Sequence, residues 1–331
     1  MKTKRIADAR IEYQQHNLAR GLSQSTVRCQ GDSLNLFERV VGNLWLREIG
    51  AQHVDQVFSS YAWGPSTRNN RIGQYRAFFR WAKARSYTDQ DPLFGWRALR
   101  VPDQPRERIP MAEWPRVFAA CLHPQEEIVI ATGFYLFLRV SEMQVLQLQH
   151  VHLSDSLIDV WRPKTKQWDS MPISCELDPY LRRWMTYLAG LGYTDPENYL
   201  IGTRKRDLDI TAGLGAVAGT GTVDATRPLT QPSRTVRRVL ERSGYYVKQE
   251  GGHTLRRSGA RAYFDELVGN GYDGALRRVQ SMLGHSHSIM TERYLGLDLD
   301  RQRRNQDLRG RPMFSEQVGV RYLRGVSNQA L

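Results

Sequence analysis

Apolar residues recur at helical spacing in two stretches near the start of the chain. The first stretch, 23–42, follows polar residues that can cap a helix and carries Val27, Leu34, Phe37 and Val41. The second stretch, 66–85, lies between Pro65 and a turn-like Tyr-Thr-Asp segment and carries Ile72, Tyr75, Phe79 and Ala82 on one face. This spacing predicts two helices that each bury an apolar face.

A proline-rich, charged segment follows Leu99 and reads RVPDQPRERIP. Three prolines among charged residues cannot continue a helix, so the segment is typical of a linker between domains. We therefore expect a helical domain at 1–103, a linker at 104–110 and a second domain with a C-terminal tail at 111–331.

The second domain has a mixed pattern. We expect a helix from about Met111 that buries Trp114, Val117 and Phe118, then one apolar helix over 127–146. Apolar residues on both sides of a polar turn over 157–174 predict a β-hairpin with Lys164 and Lys166 near its tip. The Gly- and Ala-rich stretch 207–224 predicts a loop, and helices are expected at 231–242, 253–268, 274–283 and 290–295. The predicted fold class is mainly α with a small β-sheet (α+β).

Charge and composition indicate which class of molecule the protein binds. The 331 residues include 47 Lys and Arg against 34 Asp and Glu, a formal net charge of +13. Such a surplus favours a polyanion, either nucleic acid or an acidic membrane surface. We find no run of about 18 apolar residues and no signal-peptide core, which predicts a cytoplasmic protein. Three widely spaced cysteines suit neither a disulfide framework nor a zinc site.

The last third of the chain holds a cluster of polar residues that can carry chemistry. His253 and Arg256 are three residues apart, so a helix places both on one face, where they can hold an anion or form an ordinary surface pair. His285 and Tyr294 follow in the segments MLGHSHS and TERYLG. The His-x-His pair at 285 and 287 also suits a metal, but no carboxylate cluster lies near it in the sequence.

Six residues in order resemble the catalytic set of the tyrosine recombinase, or phage integrase, family. They are Arg139 in FLRVSEM, Lys164 in RPKTKQ, His253 and Arg256 in HTLRR, His285 in LGH, and Tyr294, which lies nine residues after that histidine. The resemblance covers the whole second half of the chain. It implies a helical N-terminal core-binding domain joined to a mixed catalytic domain.

The resemblance also implies a role for each of these residues. Arg139 and Arg256 would clamp the scissile phosphate, which suits the planar two-donor fork of arginine, and His285 would donate a third hydrogen bond. Tyr294 would be the nucleophile that forms a 3′-phosphotyrosine, with His253 assisting proton transfer. The hairpin lysine of the family supplies a proton to the leaving group. Here Lys164 leads a Lys-Thr pair like that of the family, and Lys166 is the alternative.

Further expectations follow from the same resemblance. Glu142 would help to orient the site, although a plain helix-surface glutamate is the alternative. Fixed cations replace a metal in this chemistry, so we expect neither a metal nor another cofactor. On the helix over 66–85, Arg76, Arg80 and Lys83 share a face that is either solvated or bound to DNA phosphates.

The expected partners are double-stranded DNA and other copies of the same chain. The family acts as a homotetramer on two duplexes through a Holliday junction, with accessory DNA-bending or directionality proteins in some systems. The basic segment after Asp300 would pack on a neighbouring subunit, or it is a disordered basic tail. Integration or excision of a phage or mobile element is the expected outcome of the reaction.

The sequence departs from the family at two positions. Phe137 stands where a glycine commonly precedes the Leu-Arg pair, and Arg257 stands where histidine is frequent.

Two other functions remain open at this point. A type IB topoisomerase or telomere resolvase uses much the same residues, whereas a DNA-binding regulator would not use them as catalysts.

Overall fold

The computed structural model describes residues 4–101, 108–204, 221–246, 251–297 and 309. The chain divides into two compact units, Met1–Gln104 and Pro105–Leu331. The described part is mainly helical with two small antiparallel sheets, so the predicted fold class is confirmed. Parts of the linker and of the 207–224 loop, and nearly all of the tail after Asp300, lie outside the described residues. None of the described helices is long and apolar enough to cross a membrane.

The first unit is a helical bundle around one aromatic-rich core. Its helices are α1 (Ile6–Ala19), α2 (Gln24–Val41), α3 (Ala51–Ser59) and α4 (Pro65–Ala84), with a 3₁₀ turn at Leu46–Glu48. The hydroxyl of Ser23 accepts from the backbone N–H of Thr26, which caps α2 at the predicted start. Tyr75 and Phe79 of α4 are buried as predicted, whereas α1 and α3 were not predicted.

The second unit begins with short helices around an apolar core. A 3₁₀ turn at Met111–Glu113 leads into α5 (Trp114–Ala119), followed by α6 (Pro124–Tyr135) and α7 (Val140–Met143). A further 3₁₀ turn at Leu148–His150 precedes the first sheet. Trp114 and Val117 are buried as expected, while Phe118 is only partly buried.

The predicted hairpin is present and belongs to a three-stranded sheet. Its strands, in the order β1–β2–β3, are β1 (Val151–His152), β2 (Leu157–Arg162) and β3 (Gln167–Pro172), and all pairs are antiparallel. Residues 163–166 form the turn that joins β2 to β3. Lys164 and Lys166 are both exposed in this turn, as the sequence indicated.

The remaining elements of the second unit include three helices that carry residues of the site. They are α8 (Asp178–Gly190), β4 (Gly202–Arg204), β5 (Val223–Pro228), α9 (Pro232–Ser243), α10 (Gly252–Leu267), a 3₁₀ turn at Val268–Asn270, α11 (Tyr272–Leu283) and α12 (Ser288–Leu295). Strands β4 and β5 pair in the second sheet. Helices α9 to α12 match their predicted positions, but α8 and both strands of the second sheet were not predicted.

The prediction of one helix over 127–146 is wrong. Helix α6 ends at Tyr135, and the chain then turns before α7 begins at Val140. Phe137 lies in this break with a φ of 51°, in the left-handed region that glycine adopts most readily. Its side chain is buried in a cluster with Ala260, Phe264 and Leu283, and this burial offsets the backbone strain. The family's usual glycine is therefore replaced here without loss of the turn.

Helices α6 and α10 pack so closely that a side chain is excluded at their contact. A Cβ atom added at Gly259 would lie 2.0 Å from the carbonyl oxygen of Phe134. We expect Gly259→Ala to lower the free energy of unfolding by about 1–3 kcal/mol, because one backbone must move away from the other. Urea unfolding measures this change.

A matched glycine provides the control for that change. Gly274, in α11, has open space around its Cα, so Gly274→Ala should leave stability unchanged or raise it by up to about 1 kcal/mol. Equal stability of the Gly259→Ala variant and the unchanged protein would show that α6 and α10 are not in this close contact.

Candidate active site

The site is assembled from the break after α6, the N-terminal turns of α10, the end of α11 and helix α12. Arg139 is the N-cap residue of α7 rather than a residue inside a long helix. The carboxylate of Glu142 accepts from the backbone N–H of Arg139 at 2.7 Å, and it also accepts from Nη1 of the same arginine at 2.7 Å. The N-cap geometry therefore fixes both the start of α7 and the direction of the guanidinium.

Glu142 is fully buried and is shared among three arginines. Its Oε1 lies 2.7 Å from Arg139 Nη1 and 3.4 Å from Arg162 Nη1, and its Oε2 lies 3.7 Å from Arg256 Nη1. A buried carboxylate needs such partners, because desolvation of an unpaired charge is costly. The interpretation of Glu142 as a plain surface residue is therefore wrong, since its exposed fraction is 0 %.

The C-terminal end of α11 supplies carbonyl acceptors to the same arginines. The carbonyl oxygen of Leu283 accepts from Arg256 Nη2 at 2.5 Å and from Arg139 Nη2 at 3.3 Å. The last carbonyls of a helix lack partners within the helix and lie at its negative end, so they stabilise nearby cations. Arg256 also donates from Nη1 to the carbonyl of Phe137, in the break that gives α7 its position.

The structure shows why a glycine, Gly284, stands in the Leu-Gly-His segment. It ends α11 in the left-handed conformation with a φ of 60°. The backbone N–H of His285 then donates back to the carbonyl of Gln280 at 3.1 Å, which closes the end of the helix. A Cβ at position 284 would also lie 3.2 Å from the guanidinium of Arg162. Glycine therefore satisfies both the turn and the close approach.

His285 and Tyr294 lie next to the arginines. Nδ1 of His285 is 3.1 Å from Oγ1 of Thr291, and the ring centroids of His285 and Tyr294 are 5.4 Å apart, nearly perpendicular. The guanidinium carbon of Arg256 is 5.9 Å from the centre of the Tyr294 ring. The tyrosine hydroxyl lies 3.5 Å from the backbone carbonyl of His253, at the limit of a hydrogen bond. The His253 residue itself is exposed at the start of α10.

Burial and charge shift three of these groups. Burial lowers the pKa of Arg256 to about 10, and nearby Arg139 adds to this effect, yet the guanidinium stays charged at neutral pH. Burial raises the pKa of the Tyr294 hydroxyl, and the neighbouring arginines oppose that rise. Burial, Arg256, Arg139, Lys164 and Arg162 together lower the pKa of His285 from 6.5 to about 4. His285 is therefore neutral at pH 7 and has one N–H to donate.

The low pKa of His285 predicts a dependence of stability on pH. The unfolded chain binds a proton at this residue below about pH 6.5, whereas the folded protein does so only below about pH 4. Since the unfolded state binds more protons between these values, stability should fall as the pH drops from about 6.5 to about 4. Replacing His285 with asparagine should remove this part of the decline, as measured by unfolding at several pH values.

His287 offers the control for that measurement, because it is an exposed histidine two residues away. The variant His287→Asn should follow the pH curve of the unchanged protein. Parallel curves for all three proteins would contradict the burial of a neutral His285.

Only some of the site residues that were predicted from the sequence lie together in the structure. The structure brings together Arg139, Arg256, His285, Tyr294 and Glu142, with the backbone of His253. Lys164 lies in the adjacent hairpin turn. In the first unit, the guanidinium of Arg76 donates to the carbonyl of Trp96 at 2.6 Å, while Arg80 and Lys83 are exposed on α4.

One residue at the site was missed in the sequence. Arg162, the last residue of β2, is only 3 % exposed and reaches Glu142.

Among the residues that the structure describes, no group of three or more His, Cys, Asp or Glu side chains could hold a metal ion.

Comparisons with known proteins point to one family. The model of the phage integrase family matches residues 120–301, which is more than half of the chain. A tyrosine recombinase of Pseudothermotoga lettingae is 24% identical over 303 residues, covering 88% of this chain and 93% of the relative. The alignment therefore extends into the first unit as well as the second.

Solved structures share the fold. A lambda integrase dimer bound to a COC′ core site superposes with a TM-score of 0.67 at 16% identity, covering 96% of this chain and 81% of the other. A lambda integrase tetramer bound to a Holliday junction gives a TM-score of 0.63 at 15% identity, covering 86% and 78%. With the family model and the arginine, histidine and tyrosine residues gathered at one site, the chain belongs to the phage integrase family of site-specific tyrosine recombinases.

Proposed function

We propose that Tyr294 cleaves one DNA strand at a time by attacking a backbone phosphate that Arg139, Arg256 and His285 hold. The observation that carries this proposal is the convergence of two guanidiniums and a neutral imidazole beside the tyrosine ring. A phosphodiester is anionic and poorly electrophilic, so cations fixed around its non-bridging oxygens are the main source of rate. The buried carboxylate and the helix end hold these donors in place before DNA binds.

The bonds and protons of the step balance without an added reactant. The hydroxyl oxygen of Tyr294 forms a bond to phosphorus while the bond from phosphorus to the 5′ oxygen breaks. The tyrosine proton passes to a base, the role assigned to His253, and the leaving oxygen takes a proton from a lysine ammonium. The products are a 3′-phosphotyrosine and a free 5′-hydroxyl, and reversal by another 5′-hydroxyl rejoins the strand.

Two observations favour Lys164 over Lys166 as the proton donor. The positive charge of Lys164 contributes to the lowered pKa of His285, so this ammonium lies within electrostatic reach of the site. Lys166 adopts a φ of 55° in the turn, at the position of the glycine in the family's Lys-Thr-Gly turn. We therefore assign proton donation to Lys164. Lys166 instead takes the left-handed backbone position that the turn requires.

The proposal extends to the assembly on DNA. We propose that four copies act on two duplexes through a Holliday junction, because the lambda integrase tetramer bound to such a junction shares this fold. The +13 charge suits many phosphate contacts, and Arg80 and Lys83 on α4 are exposed to make them. Arg76 already donates to the carbonyl of Trp96, so it would contact a phosphate only with its other N–H groups.

Further parts of the proposal concern the cellular setting. Exchange of the segment after Asp300 between subunits remains a prediction, as do accessory DNA-bending proteins, a cytoplasmic location and a role in the integration or excision of a mobile element.

Strand exchange between two duplexes in the presence of EDTA tests this function. Two labelled duplexes that carry the target site should yield recombinant strands and a four-way junction, since fixed cations take the place of a metal. Relaxation of supercoiled DNA without exchange would indicate a topoisomerase instead. Binding without any cleavage would indicate a regulator.

A further inference from the structure

Arg162 makes more contacts with charged and carbonyl groups than its place at the end of a strand would require. Its Nε and Nη2 atoms lie 2.8 Å and 2.5 Å from Oδ2 of Asp169, and Nη2 lies 2.9 Å from the carbonyl oxygen of Met282. Its Nη1 lies 3.4 Å from Oε1 of Glu142. The guanidinium therefore has partners on the hairpin, on α7 and on α11.

The contact with Asp169 spans the two arms of the hairpin. Asp169 is on β3, where it pairs with Val160 of β2. The ion pair from Arg162 to Asp169 therefore closes the base of the turn at 163–166 that carries Lys164. A side chain with a planar fork suits this task, because it can hold several acceptors at fixed angles.

The other contacts join the hairpin to the phosphate clamp. Met282 precedes Leu283, whose carbonyl holds Arg139 and Arg256, and Glu142 contacts all three arginines. Movement of the hairpin relative to the clamp would break buried bonds to a charged group, which is costly. The turn that carries Lys164 is thus fixed to the residues that hold the phosphate.

We infer that Arg162 is a positioning residue that sets the distance between Lys164 and the leaving 5′ oxygen. The inference rests on the proposed function of this site. Proton transfer requires the donor within about 2.6–3.2 Å of the oxygen, and lysine has a long flexible side chain whose reach depends on where its turn lies. Arg162 therefore acts on protonation of the leaving group, whereas Arg139 and Arg256 act on the phosphate.

A substrate with a sulfur atom in place of the bridging 5′ oxygen separates these roles, since a thiolate leaves without a proton. On ordinary DNA, Arg162→Gln should lower the cleavage rate by about 10²-fold, the lower end of the contribution of general acids. On the sulfur-containing substrate its rate should stay within about threefold of the unchanged protein, and Lys164→Ala should behave in the same way. The double variant should be no slower on ordinary DNA than Lys164→Ala alone.

Two further variants keep the test decisive. Asp169→Asn retains the buried arginine and removes only the negative charge of its partner on β3, so it should show a smaller loss that the sulfur substrate also restores. Arg182→Gln, which removes an exposed arginine paired with Asp178 within α8, is the control and should cleave both substrates normally.

If Arg162→Gln and Asp169→Asn each lost as much activity on the sulfur substrate as on ordinary DNA, while the sulfur substrate restored Lys164→Ala, the positioning role of Arg162 would be overturned. The assignment of Lys164 would then still stand. Failure of the sulfur substrate to restore Lys164→Ala would overturn the assignment of Lys164 and this inference with it. If the unchanged protein formed no tyrosine adduct with DNA, the proposed function itself would be overturned.

Discussion

Replacing Tyr294 with phenylalanine is expected to abolish the covalent adduct with DNA and to leave DNA binding unchanged. The change removes only the oxygen that would bond to phosphorus, while the ring keeps its place beside His285 and Arg256. Loss of a covalent nucleophile lowers the rate by about 10⁴-fold or more in other enzymes. Cleavage of a nicked duplex that traps the adduct gives the rate, and a gel shift gives the binding.

Tyr263 provides the matched control, because it is a partly buried tyrosine on α10 that packs against the cluster of Phe137, Ala260 and Phe264. Tyr263→Phe should form the adduct at close to the normal rate. An adduct of normal yield with Tyr294→Phe would show that another residue attacks the phosphate.

Replacing Glu142 with glutamine is expected to weaken both the fold and the catalysis. The change leaves three guanidiniums around a site that has lost its shared negative charge. Removing one partner of a buried ion pair typically costs about 3–5 kcal/mol of stability. The arginines that repel one another would also no longer hold the phosphate in line, so cleavage should fall by about 10²-fold or more.

Glu127 is the control for this change, because it lies on α6 and pairs at the surface with Arg183. Glu127→Gln should change stability by less than about 1 kcal/mol. Urea unfolding and the rate of adduct formation measure both effects. If Glu142→Gln were as stable and as active as Glu127→Gln, the shared carboxylate would not organise the clamp.

Elements with strong local signals could be predicted from the sequence. Helix α2 has a serine cap and regular apolar spacing, and α4 starts at a proline and ends before a turn, so local chemistry marks both. The hairpin was predictable because two arms that carry apolar residues flank a short polar turn. Helix α1 and the second sheet were missed, since the pattern in each is too short or too irregular to identify.

The break after α6 could not be predicted from hydrophobic pattern alone. The residues from 128 to 138 are mostly apolar, and most of them are buried, so the pattern continues through a turn. Phe137 takes a glycine-like backbone conformation only because the tertiary contacts of its ring favour it. Such contacts between distant residues override local preference.

The six residues of the family resemblance were available in the sequence, but Arg162 was not recognised among them. A signal was present, because Ile158, Val160 and Arg162 alternate along β2 and all three are buried. An arginine at an inward position of a strand needs buried acceptors, which here are Glu142 and Asp169. Only the folded chain shows that these acceptors come from α7 and β3.

The chemical identity of the DNA-linked residue tests the account most directly. The trapped adduct of the unchanged protein can be digested with trypsin and nuclease and the modified peptide sequenced by mass spectrometry. We predict a nucleotide attached through its 3′ phosphate to Tyr294, with a free 5′-hydroxyl on the other fragment. Attachment to any other residue, or through a 5′ phosphate, would contradict the account.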